Sequence, residues 1–428
     1  MKAAILTMFN GLSGTYSLVN VAADQIKMLL KAGVSVKVLV SESCPDSERK
    51  GIYASKDIEW VKIVNTIDGK TIRWYDYSQA KGKVHESFYK EVDIIAEDFV
   101  KHLKDVDVCI MHDILYQGWH LVHNLAIRKA QKQLPNLRFL EFTHSLPAVR
   151  PKEMDYPFSA RYTDMERTKF VYPTYSGLEA LAKQYDIPVG NCAVVYNTMP
   201  LVETLSPEVQ KVSENIDIYN ADILSVYAGR LTTGKRFEKV AALLGAIKRK
   251  TEKNTKAVFC DFPSADIPSS LYKEMIVSEG KRFGLSEDDI LFTSDIGFKD
   301  GFPRQGVLEL FTLSNLFICP SFSESFGLTV LEAGSRGNFL VLNEAVPALK
   351  ELGESLGAYF MRWDARNFGF GTHETYNPSE AEYYEENGLN IVNMMEADKA
   401  LKTKTLIRNK YNIDWICKNQ LMPLLENR

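Results

Sequence analysis

Short, mostly apolar runs recur along the whole chain, separated by stretches that place apolar residues three and four apart. Runs at 3–8, 35–40, 106–111, 137–142, 170–173 and 193–196 make a first set. Runs at 224–228, 256–260, 290–293, 316–319, 339–342 and 358–361 make a second. Runs this short, bounded by turn residues, read as strands buried on both faces. The helical spacing falls at 17–31, 86–103, 177–185, 237–247, 308–313, 327–335 and 413–425. Strand alternating with helix predicts an α/β fold with parallel sheets. Residues 45–105 are less regular, and 367–384 form a polar excursion. Residues 201–221 are charged without a strong apolar period and read as a linker. The expected division is a domain over 1–200, that linker, a second domain over 222–410, and a terminal helix over 411–428.

Composition narrows the class. A chain of 428 residues suits two or three domains. Its formal net charge of −4 gives no sign of a protein dominated by polyanion binding. Six cysteines are scattered with no CxxC, so they read as small buried hydrophobes in a reducing compartment. No apolar run approaches the ~18 residues of a membrane span, and the opening MKAAILTMFNG reads as a first strand, not a signal peptide. A cytoplasmic location is expected.

The densest chemistry lies at 315–337, NLFICPSFSESFGLTVLEAGSRG. A strand stopped by Pro320 leads through a polar loop into a helix beginning near Gly327. Ligands of parallel α/β sheets sit outside the carboxyl ends of the strands. Free N–H groups at the helix start favour an anion there, and glycine lets the backbone approach it. Glu324 precedes the helix and Glu332 lies eight residues on. Ionised carboxylates only accept hydrogen bonds, so the pair suits the vicinal hydroxyls of a sugar and a ribose.

Other candidates gather at strand ends. Gly11 and Gly14 follow the first strand, as a phosphate-binding turn or a plain tight turn. His112 and His144 end neighbouring strands, where both would face a ligand cleft. No second His or Cys stands near them at metal-ligand spacing, so no metal is expected. Segment 149–169 carries Arg150, Lys152, Arg161, Arg167 and Lys169 among Glu153, Asp155, Asp164 and Glu166. It reads as an acceptor-binding segment or a solvated face. Gly229, Arg230 and Lys235 follow the strand at 224–228.

The string PS-x-x-E-x-FG-x-x-x-x-EA at 320–333 resembles the E-x7-E signature of retaining GT-B glycosyltransferases, especially the glycogen-synthase-like family 4. The resemblance implies two Rossmann-like domains facing across a cleft, with a C-terminal helix crossing back to the first. It implies that Glu324 faces the donor sugar, that Glu332 holds the ribose, and that the backbone at Phe326, Gly327 and Leu328 meets the diphosphate and sugar. Gly11 and Gly14 match the glycine loop that covers the donor phosphates, and Ile296 lies where the donor base is read. His144 matches a T-H position near the reacting sugar, which implies an acceptor-side or sugar-binding role for it ahead of His112. Gly229, Arg230 and Lys235 reproduce a G-R-x-x-x-x-K pattern, with Arg236 in place of its second glycine. Negative charge builds on the departing diphosphate, and Arg and Lys would stabilise it. With no DxD pair at a strand end, a metal-independent reaction without a cofactor is implied, the nucleotide sugar being a substrate.

Two departures stand out. Asn197 is followed by Thr198 where glycine is usual, and the strand at 256–260 leads into DFPSAD instead of a glycine turn. Acceptors in the family are sugars, lipids or small molecules. Short segments are also similar to the T-even phage type of DNA α-glucosyltransferase: GLSG at 11–14, HS-x-x-x-x-R at 144–150, VYN at 195–197 and GR-x-TT-x-K at 229–235. DNA is therefore an alternative acceptor, with Arg150, Lys152, Arg161, Arg167 and Lys169 expected on phosphates. A non-catalytic nucleotide-sugar binder on the same fold is a further alternative.

Overall fold

The first set of apolar runs assembles into one seven-stranded parallel sheet. In chain order, β1 (Lys2–Leu6), β2 (Ser35–Ser41) and β3 (Ile58–Ile63) come first. A separate antiparallel pair, β4 (Thr66–Ile67) and β5 (Lys70–Thr71), follows. Then come β6 (Val108–His112), β7 (Arg138–Phe142), β8 (Thr168–Tyr172) and β9 (Cys192–Val194). The sheet order is β3-β2-β1-β6-β7-β8-β9. Ile5 lies between Val38 on one neighbour and Ile110 on the other. All three are fully buried, as a strand covered on both faces requires.

The second set builds a six-stranded parallel sheet from β10 (Ile223–Arg230), β11 (Thr255–Phe262), β12 (Ile290–Phe292), β13 (Leu316–Cys319), β14 (Phe339–Asn343) and β15 (Tyr359–Met361). Its order is β12-β11-β10-β13-β14-β15. Both sheets start at a central strand, run outward, then return to its other side. That reversal is the Rossmann-type switch point, and it opens a crevice at the strand ends. It falls between β1 and β6 in one sheet and between β10 and β13 in the other.

In this computed structural model, residues 1–72, 75–78, 81–201, 204–363 and 380–426 are described. The chain divides into two units, Met1–Thr198 with Ile413–Arg428, and Met199–Asn412. The fold class is α/β, with two Rossmann-like units in one chain. The terminal segment (Ile413–Ile416, a π-helical Cys417–Leu421, then Met422–Leu425) packs into the first unit. Ile416, Leu421 and Leu425 share a core with Ala3, Ile5 and Leu29. Gln420 accepts from the Tyr196 N–H at 2.8 Å, and Lys31 pairs with Asp414 at 2.6 Å.

The structure corrects several expectations. The stretch read as a linker contains a helix, Pro207–Asn215, whose Val209 and Val212 are fully buried in the second unit. Two apolar residues suffice for a short helix on an existing core, so no strong period shows. Ser206 and Pro207 at its start were the available signal. Strand β3 lies in the region read as less regular. It is an edge strand whose buried positions are interrupted by exposed ones, so it makes no continuous apolar run. Most of the expected excursion at 367–384 lies outside the described residues, and its last part opens the helix Glu380–Ala397.

Candidate active site

The second unit's site is built from the loops after β10 and β13, the two strands flanking the switch point. Arg230 closes β10 and is exposed; Lys235 lies in the turn beyond it. From the loop after β13, Glu324 reaches Lys235: Nζ to Oε1 is 2.5 Å, with the Glu324 side chain only 14% exposed. Two charges so far apart in sequence meet because the loops are tied together beneath them. The Phe322 N–H donates to the Gly234 carbonyl at 2.8 Å. The buried Tyr227 hydroxyl donates to the Lys235 carbonyl and lies 3.0 Å from Ser321 Oγ. Asn343, at the end of β14, donates to the Ser321 carbonyl at 3.2 Å.

Arg236 shows what the glycine of the sequence pattern would do. It has φ 57° and ψ 42°, a left-handed conformation that glycine adopts freely. Here its guanidinium lies 5.2 Å from the centre of the Phe322 ring and 3.7 Å from Glu238. Those contacts offset the backbone cost of an arginine there. Gly229 is less constrained, since an added Cβ would meet Phe237 and Lys235 at ordinary distances of 3.8 and 3.9 Å.

Gly327 caps the helix Leu328–Gly334 at φ 93°. An added Cβ there would stand 3.2 Å from Leu349 and 3.3 Å from Val330. Gly327→Ala is therefore expected to lower the stability of the second unit by about 1–2 kcal/mol, the cost of a left-handed non-glycine residue. Urea unfolding checks this, and an unchanged midpoint would contradict the geometry. Phe326 and Leu328 beside it are more than half exposed. Glu332, on that helix, receives two bonds from Arg304, Nη2 at 2.7 Å and Nε at 3.0 Å, both on Oε1.

Sequence reading did not single out Arg304, because 28 positions separate it from Glu332. Nor did it find Lys211. This residue of the Pro207–Asn215 helix lies 5.6 Å from the centre of the Phe298 ring and beside Gly297, next to Ile296. Ile296 itself packs against the core. Asp261, near the end of β11, accepts from Ser294 N–H at 3.0 Å and Oγ at 2.6 Å and so ties that strand to the turn after β12.

The first unit has its own constellation at the ends of β1, β6 and β7. His112 Nδ1 and His144 Nε2 are 2.9 Å apart, with near-parallel rings. Sequence placed both at strand ends; the structure joins them. Asp113, with φ 56°, accepts from the His144 N–H at 2.9 Å. These residues line a cavity of ≈ 560 Å³ together with Asn10, Tyr16, Gln117, Trp119, His120 and Ser145. In the glycine loop, Glu48 accepts from the Leu12 N–H at 2.6 Å and would sit 3.1 Å from a Cβ at Gly11. A Cβ at Gly14 would meet open space.

Burial sets the protonation of this region. It pushes His120 and His144 down to about 4 and holds His112 and His123 well below the ordinary 6.5. The same burial raises the carboxyls of Asp113 and, far more, Glu141. As pH falls below 6.5, the unfolded chain takes up protons that the folded imidazoles refuse, so the histidines remove stability on acidification. The raised carboxyls act in the opposite sense, because the folded state protonates them first. Four imidazoles outnumber two carboxyls. The melting midpoint of the first unit is therefore expected to be lower at about pH 5 than at about pH 7. A flat profile in calorimetry would contradict neutral, buried imidazoles.

The basic segment departs from expectation. Arg161 is buried, donating to the carbonyls of Tyr116 at 2.6 Å and Ser78 at 3.1 Å and packing on the rings of Tyr116 and Tyr162. Arg167 donates to the Leu137, Gln131 and Leu134 carbonyls, and Lys169 to that of Gly190. These three serve the backbone of the fold, not an acceptor face. Arg150 is exposed and donates to the Met154 carbonyl at 3.0 Å, and Lys152 is exposed. Each cation lies where the fold leaves carbonyls within reach: Arg161 by the 113–117 loop, Arg167 by the turn after helix Leu121–Gln131, and Lys169 by Gly190.

Comparison with known proteins bears on the second unit. Residues 208–355 match the family described as Glycosyl transferases group 1. The second unit thus carries a glycosyltransferase domain, and the chain is a transferase. Solved structures with a similar fold include a glycosyltransferase from Rickettsia africae ESF-5, 14% identical with a TM-score of 0.36 over 100% of this chain and 98% of that one. Another is an α,α-trehalose-phosphate synthase (UDP-forming) from Burkholderia xenovorans, 14% identical with a TM-score of 0.40 over the whole of both chains. A third is a sucrose-phosphate synthase from Thermosynechococcus elongatus, 16% identical with a TM-score of 0.37 over 100% and 98%. At these scores the likeness carries no argument about the reaction. No curated protein sequence matches the chain. Among the described residues, no helix is long and apolar enough to cross a membrane.

Proposed function

We propose that this chain moves a sugar from a nucleotide diphosphate sugar to a hydroxyl acceptor, with retention of anomeric configuration and without a metal ion. The observation that carries the reading is the Lys235–Glu324 pair at 2.5 Å, held at the switch point within the matched residues, with Glu332 on the helix that follows. Glu324 faces the donor sugar, and Glu332 takes the ribose hydroxyls, sharing its carboxylate with Arg304. Arg230 and Lys235 meet the diphosphate, where negative charge develops as the donor bond breaks.

In this scheme the acceptor oxygen bonds to the anomeric carbon on the face that the diphosphate leaves. The carbon–oxygen bond to the diphosphate breaks and its electron pair stays on the phosphate oxygen. The hydroxyl proton passes to that same oxygen, so no separate base is required. The six cysteines are free thiols, five of them buried, which supports a cytoplasmic setting.

The test is release of nucleotide diphosphate from a panel of UDP-, GDP- and ADP-sugars, with and without chelator, and with NMR of the product anomer. Release that survives the chelator and a product of unchanged configuration support the reading. An inverted product overturns retention, and release abolished by chelator overturns metal independence.

A further inference from the structure

Arg304 opens the helix Arg304–Leu313, and its side chain is 74% exposed. An ion pair in water gains little, so an arginine this exposed usually keeps its long side chain free. This one is tied down. Nη2 and Nε both donate to the same oxygen, Glu332 Oε1. The backbone beneath it is equally fixed. Phe302, in the core of the unit, lies so close to Gly306 that an added Cβ there would stand 2.6 Å from its ring. Phe298 meets Phe302 edge to face, ring centres 4.7 Å apart. The start of the helix, and Arg304 with it, is thus held by apolar packing that does not depend on the ion pair.

The two bonds leave a definite remainder. Two N–H donors fill the acceptor capacity of Oε1. Among the described residues no hydrogen bond reaches Oε2, and none engages Nη1. The Glu332 side chain is only 14% exposed. An open acceptor oxygen therefore stands beside a guanidinium with N–H groups to spare. A hydroxyl both donates and accepts. A carboxylate alone satisfies its proton; the guanidinium adds the donor that its lone pairs need.

We infer that Arg304 is a specificity residue: with Glu332 it forms a two-sided reader of a ribose diol, and it makes the chain select a ribonucleotide over its 2′-deoxy counterpart. The ribose role of Glu332 belongs to the reading above, on which this inference rests; what is added is the guanidinium. The 2′-hydroxyl donates to Oε2 and accepts from the second N–H of Nη2. When that hydroxyl is missing, acceptor and donor lose their shared partner together, which is how a hydrogen-bonding site rejects an analogue.

The experiment is calorimetric titration of the full chain with UDP, GDP and ADP and with dUDP, dGDP and dADP. Diphosphate release is followed in parallel from UDP-, GDP- and ADP-sugars and their 2′-deoxy forms. The preferred ribonucleotide is expected to bind at least about tenfold more tightly than its deoxy form. Arg304→Ala should weaken it about tenfold and shrink the ribo-to-deoxy ratio to about threefold or less, raising KM with kcat nearly unchanged. Arg304→Lys should recover part of both, as a point charge in place of a planar fork. The melting midpoint of each variant should stay within about 2 °C of the wild type, because an exposed pair adds little stability. An unchanged ratio in Arg304→Ala, a wild type that binds both forms equally, or a loss confined to kcat would overturn the inference. Diphosphate release by the wild type leaves the transferase reading standing in each of those cases. Selectivity that depends on Arg304, with no release from any donor, would instead sink the transferase reading and keep the ribose reader. Failure of every nucleotide to bind would overturn both.

Discussion

Lys235→Ala is expected to lower kcat by about a hundred- to a thousandfold, the range found when one preorganised group facing developing charge is removed. Its ammonium is held at 2.5 Å from Glu324 by a loop that is itself bonded through Gly234, Tyr227 and Ser321. Little reorganisation is then needed as the diphosphate departs. The effect should fall mainly on kcat, because the charge it meets grows in the transition state. The partner carboxylate would lose its counter-ion, so the Glu324→Ala/Lys235→Ala double variant should be little slower than the worse single one. Lys235→Arg should recover only part of the rate, since a planar fork cannot replace a compact ammonium in that turn. Steady-state diphosphate release measures all four. A wild-type rate in Lys235→Ala would remove this residue from the chemistry.

Arg408→Leu is expected to cost the second unit about 3–5 kcal/mol, as for a buried charged partner removed from its network. Arg408 is 1% exposed, in the helix Lys399–Lys410. Its guanidinium donates to the Leu313 carbonyl at 2.6 Å and to that of Ala221, ahead of β13 and β10. Leucine fills the space but leaves both carbonyls without that donor. A drop in melting midpoint of roughly 10 °C follows for a unit of this size. Arg408→Lys should be almost as damaging, because one ammonium cannot reach both carbonyls in the fork's geometry. A shift of only a degree or two would mean the helix is held by its apolar contacts alone.

The parts of this molecule legible in the sequence were those whose physics is local. Strands such as Leu316–Cys319 are buried on both faces, so they appear as unbroken apolar runs. The Glu324–Glu332 string occupies one loop and one helix, so its spacing survives in the chain. What stayed hidden depends on partners brought from afar. Arg304 on Glu332, Lys211 beside Gly297 and Glu48 on the glycine loop have no spacing to betray them. The helix Leu121–Gln131 buries His123 and Asn124, which blurs its apolar stripe. Arg161 and Arg167 looked like surface cations because residue type says nothing about which carbonyls lie within reach. Arg161 is buried against the Tyr116 carbonyl, whereas Arg167 stays exposed and reaches the carbonyls of Gln131, Leu134 and Leu137.

The route of the chain between its two units has a consequence for how it is made. The second unit begins and ends at one place, where the Met199 N–H donates to the Tyr411 carbonyl at 2.7 Å. Everything it needs is contiguous. The first unit is split, and its core waits for Ile416, Leu421 and Leu425. During synthesis from the N-terminus, the first unit cannot close its core until the last segment of the chain has emerged, although most of its residues are made first. A chain cut after residue 412 would thus hold every residue of the second unit while the first stayed unfinished.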